Sequence, residues 1–282
     1  MPLLGAHMSI AGGLHLAFSR IQEVRGEALQ IFTSNQRQWR TAPITHEMVT
    51  TFRDQWAKNK YMPVAAHDSY LINLAAPESD QLEKSIFAFS EELRRAAKLG
   101  IPFLITHPGS HLGQGLDAGL ERLVVNLDRA ISRSKVTEVT VLIETTAGQG
   151  SDLGSSFEEI AFILRQSIYG ENLGVCFDTS HVFAAGYDLR TPETYDGTFS
   201  HFDRVIGLER LQFFHLNDSK RSLGSRVDRH QHIGKGEIGL RGFRLLLNDP
   251  RFQEHPMVLE TPKSEDLKED KKNLRVLHSL IV

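Results

Sequence analysis

A single cysteine, Cys176, stands in 282 residues, so no disulfide can close within the chain and stability has to come from a packed core. Long hydrophobic runs are absent as well. Stretches such as Val139–Glu144 fall far short of the roughly 18 apolar residues that span a bilayer. The opening MPLLGAHMSI lacks the charged segment and apolar core of an export signal. These absences lead us to expect a soluble cytoplasmic protein with no membrane partner, a compartment that suits one unpaired thiol. Neither sign of charge dominates: 32 Lys and Arg against 35 Asp and Glu leave a formal net charge of −3, and composition alone does not announce a nucleic-acid binder. A content of 40% apolar and 24% charged residues also excludes disorder and low-complexity fibres. Histidine, by contrast, is plentiful at 13.

Short apolar runs alternate with longer segments of helical period from end to end. Expected strands are Leu3–Met8, Ala28–Thr33, Met62–His67, Pro102–His107, Val139–Glu144, Leu173–Asp178, Leu211–Leu216 and Pro256–Glu260. Between them, Leu82, Ile86, Phe89, Leu93 and Ala96, and likewise Leu116, Leu120, Leu123 and Leu127, recur at spacings of three and four, each set forming one apolar helix face. Further helices are expected over Leu14–Val24, His46–Lys60, Ser156–Ile168, Glu193–Ile206, Gly242–Asn248 and Glu265–Leu280. Thr45, Ser155 and Thr191 suit N-caps, with Pro192 in a first turn. Runs such as TVLIE and PFLIT are apolar on both faces, as parallel strands covered on both sides should be. Eight such units without a linker predict one α/β domain over residues 1–282, a closed (β/α)8 TIM barrel; an open doubly wound sheet is the competing architecture.

Chemistry gathers at the strand ends. His67, His107, Glu144, Asp178 and Glu260 end their expected strands, His215 lies one residue before an end, and His181, Asp228 and His230 follow closely in loops. In a barrel this is the face where an active site assembles. Imidazole with carboxylate and no thiolate suits Zn²⁺ or Mn²⁺ in open catalytic sites. Nine donors exceed one tetrahedral ion, so bridging carboxylates would hold two or three. Three divalent ions would outweigh the formal −3 and put positive potential at the barrel mouth, where a polyanion can dock.

The words GAHMSIAGG, SNQRQWR, HDSYLINLA, THPGSHLG, ETTAGQG, CFDTSHVFAAGYDLRTP, HLNDSK, GSRVDRHQHIGKGEIG and LETP, in this order across nearly the whole chain, resemble the endonuclease IV family of apurinic/apyrimidinic (AP) endonucleases. The resemblance implies a barrel that binds three Zn²⁺, with Mn²⁺ an alternative at some sites; a monomer is expected. It also implies a DNA-repair hydrolase that cuts duplex DNA 5′ to an abasic site and leaves 3′-hydroxyl and 5′-deoxyribose phosphate ends. His67, His107 and Glu144 would hold one ion; Glu144, Asp178, His215 and Glu260 a second; His181, Asp228 and His230 a third. Glu144 and Glu260 would then be catalytic through the ions that activate the attacking hydroxide. Arg37, Tyr70 and Leu71 would enter the base stack at the lesion, although loop packing is the alternative for Tyr70 and Leu71. Thr145 stands where the family often has Asn, and Lys235 where some members have an acid.

Cys176, inside a strand, reads as a core residue, and Gly12 and Gly13 as a turn. His7 is expected to orient a ligand or touch DNA, and His232 lies near the site without an assigned role. His15, His46, His111, His201, His255 and His278 read as helix, loop or surface residues. The competing functions are a two-metal sugar isomerase or epimerase of a related barrel, and a metal-dependent lesion binder without turnover.

Overall fold

In a computed structural model, which describes residues 1–36, 38–39 and 41–282, the apolar runs form parallel strands. They are β1 (Leu3–Met8), β2 (Ala28–Phe32), β3 (Val64–His67), β4 (Phe103–Thr106), β5 (Thr140–Glu144), β6 (Leu173–Asp178), β7 (Leu211–His215) and β10 (Pro256–Leu259). They close in the order β1-β10-β7-β6-β5-β4-β3-β2, which removes every sheet edge and excludes the open alternative. Helices α1 (Leu16–Glu23), α2 (His46–Lys58), α3 (Asp80–Leu99), α4 (Leu116–Ser134), α5 (Phe157–Gln166), α7 (Pro192–Val205), α8 (Gly239–Leu247) and α9 (Lys268–Leu280) surround the barrel. None of them is long and apolar enough to cross a membrane.

Two elements were not foreseen in the sequence. The segment after β6 forms a short helix, α6 (Thr179–Ala185), and the loop after β7 closes through a two-stranded antiparallel ribbon of β8 (Asp218–Ser219) and β9 (His230–Gln231). Thr45 and Thr191 cap α2 and α7 as expected. The α5 cap, however, is Ser156: its hydroxyl accepts from the Glu159 N–H, while Ser155 sits one residue outside and donates to the Glu159 carboxylate. Gly12 and Gly13 have φ of 84° and 144°, conformations that L side chains resist, and they make the turn into α1.

Because strand side chains alternate, each strand feeds two cores. Outward residues such as Val141 and Ile143 pack under the helices, whereas Ala28, Ala65, Ile105, Leu142, Cys176, Phe213 and Val258 fill the barrel interior. A register shift between β6 and β7 pairs Val175 with Leu211 but Cys176 with Phe213. The extra residue turns Phe213, and with it His215, inward.

The loop after β2 is clasped by two buried side chains of α3, Glu92 and Arg95, which meet through the Thr33 hydroxyl. Arg95 Nε donates to the Thr33 hydroxyl at 2.9 Å and its Nη1 to the Ala42 carbonyl at 2.7 Å. The Thr33 and Ser34 hydroxyls donate to the Glu92 carboxylate at 2.5 and 2.8 Å. Removing the guanidinium would leave the Ala42 carbonyl and the Thr33 hydroxyl without this donor. Arg95→Ala is therefore expected to cost about 2–3 kcal/mol of stability, checked by urea unfolding; a loss below about 1 kcal/mol would show that the guanidinium does not hold the loop.

Candidate metal centre

Two residues above the apolar interior layer, on the same inward parity, stand the polar side chains. Ala65 is followed by His67, Ile105 by His107, Leu142 by Glu144, Cys176 by Asp178, Phe213 by His215 and Val258 by Glu260. The barrel thus turns one sequence period into a ring of donors on an apolar floor. His181 joins from α6 because the Asp178 carboxylate caps that helix, accepting the His181 N–H at 2.8 Å. Asp228 and His230 come from the ribbon loop. That loop is held shut by the buried Asp218 carboxylate, which accepts from Gly236 and Ile238 N–H groups at 3.0 Å each.

The nine residues converge. Glu144, fully buried, has Oε2 at 3.0 Å from His67 Nε2 and 3.4 Å from His107 Nε2. Its Oε1 lies 3.1 Å from His215 Nδ1, which also faces Glu260 Oε2 at 3.3 Å and Asp178 Oδ2 at 3.7 Å. In a third group, Asp228 Oδ1 is 3.4 Å from both His181 Nε2 and His230 Nε2, and the two imidazole nitrogens are 3.4 Å apart. His67, His107 and Glu144 can share one ion; Glu144, Asp178, His215 and Glu260 another; and Asp178 also groups with His181 and His230. The resemblance pairs Asp228 with that last group; here Asp178 reaches it too, at 3.6 Å from His230 Nε2.

This donor set fits divalent cations. Ring nitrogens meeting each other and a shared carboxylate oxygen present more lone pairs than protons, which a cation resolves. The protein's own charge balance points the same way. Burial would raise the Glu144 carboxyl, but His107 and His215 hold it well below the usual carboxylate range. Burial would lower His67 and His215, yet the carboxylates around them push both up to about 9. Asp228, despite burial, is held down at about 2 by His181 and His230. Imidazolium at His67 and His215 therefore balances carboxylate, while burial holds His107 below the usual imidazole range, and a cation taken up would displace the protons on the rings it binds.

Supporting groups escaped the sequence reading because they are neutral amides. Gln30 is fully buried; its Oε1 accepts from His215 Nε2 at 2.7 Å, and its Nε2 donates to Glu260 Oε1 at 2.6 Å. Such a contact fixes the ring so that Nδ1 faces the carboxylates. Asn217 donates to Asp178 Oδ2 at 2.7 Å and accepts the Glu260 N–H at 2.9 Å. The Thr145 carbonyl accepts from His181 Nδ1 at 2.8 Å. The only available signal for Gln30 was a polar residue at an inward position of an apolar strand.

The ring opens into a cleft of about 750 Å³ lined by His7, Phe32, Tyr70, Arg229, Lys263 and metal-cluster residues. His7 reaches Glu260 Oε1 at 3.3 Å, consistent with orienting a ligand. Tyr70 is 72% exposed and meets the Phe32 ring edge-on at 5.6 Å; Leu71 beside it is half-buried. Arg37 lies outside the described residues. Cys176 is sealed beneath the ring, and burial drives its thiol far above the thiolate range. His232 is turned away from the ring, toward Asn273; Lys235 lies beside it rather than in the cleft.

The xylose isomerase-like TIM barrel family matches residues 18–280. A probable endonuclease 4 of Chloroflexus aggregans is 53% identical over 281 residues, covering 100% of this chain and 98% of that one. The endonuclease IV of Thermus thermophilus superposes with a TM-score of 0.89 at 36% identity, covering 99% of this chain and 98% of that one. A D-tagatose 3-epimerase-like protein superposes at 0.74 with 16% identity, covering 99% and 96%, a likeness of fold alone.

Proposed function

This chain belongs to the endonuclease IV family, and on that premise we propose that it is a cytoplasmic, monomeric AP endonuclease of DNA repair. It hydrolyses the phosphodiester 5′ to an abasic site in duplex DNA and leaves 3′-hydroxyl and 5′-deoxyribose phosphate ends. The observation that supports the reading best is the third donor group, His181, Asp228 and His230, beside the Glu144-centred pair at the mouth of one cleft. Sugar isomerisation or epimerisation would use the Glu144, Asp178, His215 and Glu260 group and leave that third set idle.

His67, His107 and Glu144 would hold one ion, Glu144, Asp178, His215 and Glu260 a second, and His181, Asp228 and His230 a third, three Zn²⁺ with Mn²⁺ an alternative. When bound, such ions lower the pKa of water toward 7 and neutralise phosphate oxygens. Gln30 and Asn217 hold His215, Glu260 and Asp178 in place, so the donors need little reorganisation as charge develops. The deep burial of Glu144 and Asp178 keeps bulk water from screening that charge. No side chain is required as nucleophile.

Selectivity in this reading comes from deformability. A nucleotide without a base has lost its stacking and pairing, so rotating it into the cleft is easier than extruding an intact one. The exposed Tyr70 ring and neighbouring Leu71 would fill the space it leaves, and by the family resemblance Arg37 would enter the stack as well. The direct test is incision of a duplex carrying one abasic analogue, by as-purified and by chelator-stripped protein, with metal measured on the same samples. Replacing Tyr70 and Leu71 together by Ala is expected to weaken binding to the abasic duplex by about tenfold or more. Undamaged duplex should lose much less and metal content should hold. Equal losses on both duplexes would reduce the pair to a generic backbone contact.

A further inference from the structure

Immediately behind the Glu260 side of the cleft lies a second cavity of about 420 Å³, lined by His232, Lys235, Lys268, Glu269, Lys272 and Asn273 among others. It is joined to the metal centre by one buried side chain: Asn273 donates to the Thr261 hydroxyl at 2.9 Å, next in sequence to Glu260, and accepts the Ile233 N–H at 3.2 Å. His230 lines the cleft and His232 the cavity, so the two hollows share a wall only a few residues thick.

The charges around this cavity are unequal in their commitments. Lys263 at the cleft rim is bound to Asp270 at 2.8 Å, Lys271 to Glu23 at 2.7 Å, and Lys268 faces Asp266 at 3.4 Å. Glu269 is spent on the Ser264 N–H and hydroxyl. Among the described residues Lys235 and Lys272 have no ion-pair partner, and both are exposed. Lys268 begins α9, the end of a helix where the dipole disfavours a cation, so helix stability does not account for it. The opposite rim is different: the hollow beside Tyr70 and His107 is walled by Ser69, Asn73, Ser110 and Asp152, with no Lys or Arg among its described lining residues.

We propose that the cavity between the loop after β9 and the start of α9 is a docking surface for the phosphodiester backbone of one arm of the duplex, beyond the scissile bond, with Lys235 and Lys272 as its principal contacts. The inference rests on the DNA-cleaving reading and adds to it a side: the arm lying over α9 is held by charge, while the Tyr70 rim is left for contacts to the lesion. Charge complementarity selects a polyanion, and the shared wall with the metal centre makes it the same polyanion whose bond is cut. Lysine contacts of this kind carry no base specificity; they supply affinity that falls as salt displaces it.

The test uses holoenzyme, the Lys235→Gln/Lys272→Gln variant, and Lys58→Gln/Lys98→Gln as a control at the ends of α2 and α3, on the far side of the barrel. Affinity for an already incised abasic-analogue duplex, which is not cut further, is followed by anisotropy across a salt series. KM for intact abasic duplex is measured alongside. Loss of two phosphate contacts is expected to flatten the slope of log K against log salt by about 1.8 and to weaken binding roughly tenfold or more near 50 mM salt, with KM rising in step. The control pair should follow the wild type. A variant slope equal to wild type, or an equal change in the control, overturns the docking surface while leaving incision intact. A wild-type holoenzyme that never nicks abasic DNA overturns the functional reading instead.

Discussion

Glu144→Gln is expected to fold as a closed barrel and to lose incision by about a thousandfold or more, which corresponds to roughly 4 kcal/mol of barrier. Both carboxylate oxygens are engaged, Oε2 with His67 and His107 and Oε1 with His215 and His181. An amide in the same space removes the shared charge and points an N–H at ring nitrogens that must be free to bind a cation. Two of the three donor groups are damaged at once, so metal content should fall together with activity. The fold should survive because β5 is held by its pairing with β4 and β6 and by Leu142 and Ile143, none of which the change touches. Glu260→Gln is expected to fall in the same direction, since Glu260 serves one donor group and keeps the company of Gln30 and His7. Incision assays, metal analysis and thermal melts on one preparation decide the matter. Near-normal turnover by the Glu144→Gln variant or by fully stripped protein would remove the ions from the chemistry.

Asp228→Ala separates phosphodiester cleavage from sugar chemistry. Asp228 sits in the cleft wall with its side chain 44% exposed and facing His181 and His230, while its backbone N–H donates to the Gln149 side chain and its carbonyl accepts from Arg229, so the substitution leaves the core untouched. The protein should retain its other ions and lose about one metal equivalent. A phosphodiesterase gains from a further Lewis acid where negative charge grows on the departing oxygen. The expected result is therefore a kcat reduced by about a hundredfold or more with a smaller change in KM, the pattern of an interaction strongest in the transition state. Full metal content with unaltered incision would show the third group to be idle, and turnover of sugars without nicking of abasic DNA would return the barrel to the isomerase class.

Much of this architecture was legible because strand parity is simple. Ile105 and Leu142 lie two residues before His107 and Glu144, and once a parallel barrel is assumed the donors must share its interior. What stayed hidden depended on contacts distant in sequence. The two-residue strands β8 and β9 are too short to show any period, and α6 was missed because Asp178 does two things at once, ending a strand and capping a helix. Nothing in the sequence around Glu92 and Arg95 signals that the loop after β2 folds over them. Gln30 leaves no mark in the sequence because a neutral amide carries none of the charge of the groups around it. The move of the α5 cap from Ser155 to Ser156 is a choice between adjacent serines that only backbone geometry makes.

The apolar floor of Ala28, Ala65, Ile105, Leu142, Cys176, Phe213 and Val258, each fully buried, makes the donor ring the bottom of a blind well. On the proposed function, ions, water and the displaced sugar would all approach from the side away from that floor, the side a duplex would cover. Ions would then have to be in place before the DNA docks, so adding chelator after docking should strip metal more slowly than adding it before.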